Sequence, residues 1–306
     1  MSFSPNARGA LFMSIAMAGF TVNDGLTKIV AEAMNMGQVM LVRGVMATLL
    51  MLFFAWRWKA LRNPRAILHP MVGLRVAGET GATVCFLSAL AHMPIANLTS
   101  VMQVLPLTVT MGAAFFLGEP VGWRRWSAIL VGFLGIVIII RPGFEAFNAY
   151  SLYGIAAVAC ATMRDLTTRR IPKDIPSPLI STATAAAVTV AGAVLIVPYG
   201  GWSPINGTDF TILVGATLCI VCGYHFIVLS LRSGDLSFIA PFRYTALLWA
   251  IAIGIALFGD WPDWAMIEGA SLVISSGLYT LYREQIVDKV VPAAKSTSPS
   301  MATEGT

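Results

Sequence analysis

Apolar residues along the chain fall into long blocks, and polar residues gather in the gaps between them. A membrane-spanning helix needs about 20 mainly apolar residues. Runs of that kind lie at about 8–30, 34–56, 71–91, 96–117, 124–141, 150–171, 178–198, 208–231, 236–258 and 263–282. The pattern predicts ten transmembrane helices. The sixth is the most polar at its end, where Arg164, Asp165, Arg169 and Arg170 crowd together. Within the first run, Ala16-Met17-Ala18 imitates a signal-peptide cleavage site. Apolar character continues past it, and the run has a counterpart later in the chain, so it is read as a retained first helix. Residues 291–306, with Lys295-Ser-Thr-Ser-Pro-Ser, lack apolar content and are expected to form a disordered cytoplasmic tail.

Composition strengthens this picture. The chain is 57% apolar and only 11% charged, with a mean hydropathy of +0.76. A soluble domain carries about a quarter charged residues, so a water-facing surface is excluded and the lipid bilayer becomes the first partner. The fold class is therefore all-α integral membrane. The four cysteines, Cys85, Cys160, Cys219 and Cys222, all lie in apolar runs, which argues against a disulfide framework. Cys219-Ile-Val-Cys222 has CxxC spacing but no second ligand pair, so no metal and no cofactor are expected.

Charge sets the orientation. With a cytoplasmic N-terminus, 15 of the 20 Lys and Arg residues fall on the inner side, among them Arg57, Arg65, Arg124, Arg125, Arg169 and Arg170. Only Lys28 and Arg141 fall outside, and Arg43, Arg164 and Arg243 lie within helices. Both termini are then cytoplasmic, in a multi-pass protein of the inner (plasma) membrane. The net charge of +5 belongs to this asymmetry and not to nucleic-acid binding.

Sliding the chain by 141 residues superposes Gly118-Glu119 on Gly259-Asp260 and Trp123 on Trp264. The same offset places Asp24 on Asp165, Thr27 on Thr168, Lys28 on Arg169 and Leu90 on Leu231. The unit contains five helices, an odd number, so its second copy must enter the membrane upside down. The expectation is two inverted five-helix repeats, residues 8–141 and 150–283. Substrate sites in such architectures lie near the midplane, between repeats.

Ionisable groups inside a bilayer cost about 2.5–3.5 kcal/mol each on insertion scales, so they face a partner or a wet cavity. Asp24 and Lys28 are four residues apart, on one helix face with the acid first. They either neutralise one another while Lys28 snorkels outward or gate a substrate path, and the second copy would repeat this at the opposite end. Arg43 has no acid within a turn and serves as a brace or an anion site, with Asp24 at similar depth. Glu79, between Gly78 and Gly81, either pairs with Arg75 one turn away or binds substrate or a proton. Gln103 adds a polar group to the fourth helix. Tyr224, His225, Arg243 and Tyr244 set aromatic rings beside ionisable groups in the eighth and ninth helices, and could stack on a planar polar solute. Pro106 and Pro241 free backbone carbonyls, which is tolerable only inside protein or beside water.

Residues 88–143, SALAHMPIANLTSVMQVLPLTVTMGAAFFLGEPVGWRRWSAILVGFLGIVIIIRPG, resemble the drug/metabolite transporter superfamily in its EamA-type ten-helix branch. The matching features are an Ala-Leu before a short Pro loop, a Pro-interrupted helix ending in Gly-Glu, then Arg-Arg-Trp and a closing Arg-Pro-Gly. NDGLTK, with Arg43 downstream, is similar to the start of that pattern. The resemblance covers roughly residues 8–285. It implies a secondary transporter for a small organic solute, working by alternating access, and a homodimer is compatible with it. The branch is similar to bacterial riboflavin and S-adenosylmethionine importers. Riboflavin uptake is the named expectation, because the aromatic and polar mix of helices eight and nine suits an uncharged ring system. Carriage of S-adenosylmethionine, an amino acid or another metabolite, inward or outward, is the alternative. The first helix lacks the mid-helix Glu of four-helix drug exporters, which argues against multidrug–proton antiport by that route. An intramembrane enzyme finds no support, since HExxH, GxGD and GxSxG are all missing. A channel would want rings of like polar residues.

Overall fold

Ser4 opens the first helix: its hydroxyl accepts the Ala7 N–H at 3.2 Å, and Pro5 occupies the first turn, where a missing N–H costs nothing. The computed structural model describes residues 4–57, 61, 64–119, 121–141, 148–172, 174–233 and 236–295. The described residues contain helices and no strand. They are α1 (Pro5–Ala31), α2 (Met36–Arg57), α3 (Pro70–Leu90), α4 (Ile95–Met102), α5 (Leu105–Gly112), α6 (Trp123–Ile140), α7 (Ser151–Arg169), α8 (Ser177–Leu195), α9 (Gly207–Ser233), α10 (Leu236–Ile239), α11 (Thr245–Ile253) and α12 (Trp264–Lys295).

Each expected apolar run is helical. Six spans among the described residues are long and apolar enough to cross a membrane: Met36–Arg57, Ile95–Leu117, Trp123–Ile140, Ser177–Leu195, Gly207–Ile227 and Ala240–Phe258. The remaining helices, α1, α3, α7 and α12, carry the intramembrane acids Asp24, Glu79, Asp165 and Glu268. α12 continues to Lys295, so residues 291–295 of the expected tail are helical and residues 296–306 lie outside the described residues. Apolar side chains such as Leu49, Phe53, Trp56, Val190 and Val194 are exposed on the perimeter, a surface suited to lipid and not to water.

Two runs are broken. Pro106 cannot donate an N–H to the preceding turn, and the chain passes through a turn at 103–104 between α4 and α5. The other break is a 3₁₀ turn, Ala240–Tyr244, which contains Pro241. Both runs then end alike, in a π-helical turn (Ala113–Leu117 and Gly254–Phe258) closed by a left-handed glycine, Gly118 and Gly259, each at φ 68°. Glycine populates that region without the Cβ penalty of other residues. The next N–H in each copy bonds back into the π turn, Glu119 to Ala113 O at 3.2 Å and Asp260 to Gly254 O at 3.0 Å.

The offset of 141 recurs in tertiary contacts. A Cβ on Gly19 would stand 3.0 Å from the carbonyl oxygen of Cys219, and one on Gly78 would stand 2.9 Å from that of Cys160. Adding 141 to 19 gives 160, and subtracting it from 219 gives 78, so each close approach is the other's image. Thr48 and Thr189, themselves 141 apart, share a hydrogen bond of 3.0 Å. Small residues at these crossings let helix backbones approach closely, which drives packing where lipid removes the hydrophobic incentive. Helix pairing follows the same rule: α1 packs chiefly on α9, α2 on α8, α3 on α7 and α6 on α12, while α4 meets α11. Counting the apolar runs in order, these are pairs 1–8, 2–7, 3–6, 5–10 and 4–9. Exchanging every run with the one five places away swaps 1–8 with 3–6 and leaves the others unchanged.

Contacts between connections define two ends. Asn148 donates to His92 O at 2.8 Å, Lys28 to Met93 O at 2.7 Å and Gln38 to Ser203 O at 2.7 Å, which gathers one set of turns. At the other end Arg169 pairs with Glu119 at 3.3 Å, and Val72, Ile175 and Ile180 form an apolar cluster with Ala66 and Ile171. This second end carries the arginine-rich connections read from the sequence.

Candidate functional site

Polar side chains on α1, α2, α3 and α7 converge on a cavity of about 550 Å³. Ligand pockets of roughly 300–1,000 Å³ are typical for small molecules. Its wall is largely apolar, from Met40, Ala47, Met51, Phe86, Leu87 and Val188, and five charged residues face it: Asp24, Arg43, Arg75, Glu79 and Arg164.

The first charged group is built from adjacent turns of α1. Thr27 donates its hydroxyl to Asn23 O at 2.7 Å, a bond that holds both side chains on the face toward α2. Arg43 reaches across with Nη2 donating to Asn23 Oδ1 and Nη1 to Thr27 Oγ1, both at 2.7 Å. Asn23 in turn donates from Nδ2 to Asp24 Oδ1 at 2.9 Å. Asn23 and Thr27 are fully buried, so the two neutral side chains fix the guanidinium in place. Arg43 also acts on Asp24 electrostatically. The Asp24 carboxylate faces the cavity and, among the described residues, accepts one hydrogen bond, from Asn23.

The second group is an ion cluster. Arg164 on α7 donates from Nε to Asp165 Oδ1 at 2.7 Å and from Nη1 to Glu79 Oε2 at 3.1 Å. A guanidinium in low dielectric needs such compensation, and two carboxylates supply it here. Arg75 turns away from this cluster and donates to Thr184 Oγ1 on α8 at 2.7 Å. The expected Arg75 and Glu79 pair within one helix is therefore replaced by pairing across helices. The expected Asp24 and Lys28 pair is replaced in the same way. Lys28 donates to Met93 O at 2.7 Å, lies 3.7 Å from Asp260 Oδ2 and sits over the Phe258 ring at 4.9 Å. An i,i+4 pair is worth only about 0.2–0.5 kcal/mol, so a long side chain near a helix end is easily drawn to stronger partners on neighbouring elements.

The other sequence candidates lie elsewhere. Gln103 sits at the break between α4 and α5, where its amide nitrogen is buried without a hydrogen-bond partner. Tyr244 is buried against Gly277, and its hydroxyl also lacks a partner. His225 is exposed, with its ring edge-on to Phe226 at 5.8 Å, and Arg243 is exposed as well. Only the backbone of Tyr224 is described. None of Lys28, Gln103, His225, Arg243 and Tyr244 lines the cavity, whereas Asp24, Arg43 and Glu79 do. Asn23 and Arg164 complete the site. The offset signals both, because 23 and 164 are equivalent positions, each just before an aspartate.

Three comparisons bear on this geometry. The EamA-like transporter family model matches residues 7–141. An S-adenosylmethionine uptake transporter of Rickettsia felis is 25% identical over 276 residues, covering 89% of this chain and 91% of the relative. A riboflavin transporter of Vibrio cholerae is 29% identical over 194 residues, covering 62% of this chain and 64% of the relative. A pseudopaline exporter of Pseudomonas aeruginosa is 24% identical over 274 residues, covering 87% of this chain and 93% of the relative. One solved crystal structure superposes with a TM-score of 0.61 at 18% identity, over 91% of this chain and 98% of its own, which is a likeness of fold.

Proposed function

We propose that this chain is a membrane transporter of the EamA-like family, whose model matches residues 7–141, and that it carries a zwitterionic, amino-acid-bearing metabolite such as S-adenosylmethionine. The observation that carries this reading is the Asp24 carboxylate beside the Arg43 guanidinium in a cavity with apolar walls. A substrate ammonium or sulfonium meets Asp24, a substrate carboxylate meets Arg43, and the remainder packs on Met40, Phe86 and Leu87. Charge-assisted bonds of this kind contribute about 1.5–3 kcal/mol each and give orientation as well as affinity. The relatives named for S-adenosylmethionine uptake and for pseudopaline export match over most of their length.

The carrier works by alternating access, as two inverted five-helix repeats with ten membrane crossings and both termini cytoplasmic. The contacts related by 141 residues and the exchange-invariant helix pairing support that architecture, and the arginine-rich end supports the orientation. Riboflavin is the second reading, favoured by the 29% identical relative. Of the residues on which that reading rests, His225, Arg243 and Tyr244 do not line the cavity, although α9 borders it through Thr217 and Ile220.

A thermal-shift series on the purified protein tests the choice, since a ligand that binds only the folded state raises apparent stability. S-adenosylmethionine and S-adenosylhomocysteine are expected to stabilise it, and Asp24→Asn to lose that shift. Stabilisation by riboflavin alone, retained in Asp24→Asn, would replace the zwitterion reading.

A further inference from the structure

Two ion pairs in this molecule are images of one another. Lys28 pairs with Asp260 at 3.7 Å, and Arg169 pairs with Glu119 at 3.3 Å. Adding 141 to Lys28 gives Arg169, and adding 141 to Glu119 gives Asp260. Each cation ends a helix whose preceding turns line the cavity, α1 through Asn23 and Asp24, α7 through Ala161 and Arg164. Each acid immediately follows the left-handed glycine that closes a π-helical turn, with its N–H bonded back into that turn. The acid is thus held on a rigid backbone, and the cation sits on the element that borders the solute.

The pairs stand at opposite ends of the molecule and are not in the same state. At the Asp260 end the Lys28 side chain is 12% exposed and Asp260 31%, and Lys28 is further held by Met93 O and the Phe258 ring. At the Glu119 end both side chains are about half exposed, at 53% and 52%. The cavity extends toward that second end, through Met51, Arg75 and Ser181. Two equivalent anchors in one static scaffold would share one environment. A device that closes at one end while opening at the other has one tight member and one loose member.

We propose that these two pairs are the latches of the transport cycle: Lys28 with Asp260 seals one end of the cavity, and Arg169 with Glu119 seals the other, in alternation. The proposal rests on the alternating-access reading and adds the residues that hold each end shut. The third pair near these ends makes an instructive contrast. Arg141 pairs with Asp263 at 2.6 Å and joins α6 to α12, which already pack along their length. Its equivalent positions are Gly122 and Tyr282, so it has no image and acts as a fixed strap.

The test reads accessibility, with uptake of S-adenosylmethionine into proteoliposomes measured beside it. In full-length protein with its native cysteines replaced by serine, Ala185→Cys places one thiol in the cavity wall. A membrane-impermeant maleimide is then applied from either face of the membrane. Lys28→Ala and Asp260→Asn are expected to raise labelling from the Asp260 face, relative to the Glu119 face, by about two- to fivefold, the range that losing one partly exposed ion pair produces. Arg169→Ala and Glu119→Gln are expected to shift the ratio the opposite way. The swapped pair Lys28→Asp with Asp260→Lys restores the starting ratio, and it decides the question if single variants insert poorly. Equal or same-direction shifts from both pairs, or an unrestored ratio in the swap, would overturn the latches. Labelling that fails while solute uptake persists removes the latches alone. Missing uptake with the expected labelling removes the solute assignment alone.

Discussion

Asn23-Asp24 on α1 and Arg164-Asp165 on α7 occupy equivalent positions, yet they do different chemistry. In the first copy the residue before the acid is neutral, and the guanidinium comes from another helix, held by Asn23 and Thr27. Asp24 is left facing the cavity with, among the described residues, a single amide bond. In the second copy the residue before the acid is itself the arginine, and it binds both its own neighbour and Glu79. One aspartate is kept available, and the other is spent within the protein. The comparison teaches that positions 141 residues apart can hold a cavity-facing carboxylate in one case and an ion cluster in the other, distinguished by a single neighbouring side chain.

The largest way to break this contrast is Arg164→Met. It leaves Glu79 and Asp165 facing one another without a cation, and removing one partner of a buried ionic group costs about 3–5 kcal/mol. Water reaching the cavity reduces the loss, so a fall of about 2–3 kcal/mol is expected in denaturant unfolding. Arg43→Met, which strands no pair of facing carboxylates, should cost clearly less. Equal losses would mean that the two guanidiniums are not differently employed.

Asp24→Asn comes next. It removes a charge at no packing cost, so folding should be unchanged, while uptake of S-adenosylmethionine into proteoliposomes falls about ten- to a hundredfold, the value of one charge-assisted bond. Asp165→Asn, at the equivalent position, should change uptake by less and stability by more. Glu79→Gln leaves Arg164 with Asp165 as its remaining acid. Binding measured by thermal shift should persist while pH-driven accumulation is lost; unchanged pH dependence would assign coupling to another group. The smallest expected effect is Thr48→Val, which removes the hydroxyl contact between equivalent positions. Thr189 keeps its bond to Ala185 O at 2.7 Å, so about 0.5 kcal/mol is lost, in line with interhelical hydrogen bonds in membranes.

Much of the fold was legible in the chain. The apolar runs coincide with helices because bilayer thickness sets their length and lipid demands internal backbone bonds. Pro106 marked a break, since it removes an N–H wherever it falls. The offset read from Gly118-Glu119 and Gly259-Asp260 reappears as identical glycine dihedrals and matching turn bonds. The site was legible only in part. Asp24, Arg43 and Glu79 stand out as charges in apolar surroundings, and burial energetics alone brings them toward a cavity. The aromatic and ionisable candidates of α9 to α11 share that signature, yet His225 and Arg243 are turned outward.

Sequence by itself determined where helices run, which end gathers the arginines and which positions match at an offset of 141 residues, because these follow from local hydropathy and identity. Tertiary structure alone decided the partners. Lys28 turned from Asp24 to Asp260, Glu79 took Arg164 in place of Arg75, and Arg43 settled on Asn23 and Thr27. Spacing along one helix offers a long side chain only a weak neighbour. The rotation and pairing of whole helices determine which stronger partner, far away in sequence, comes within its reach.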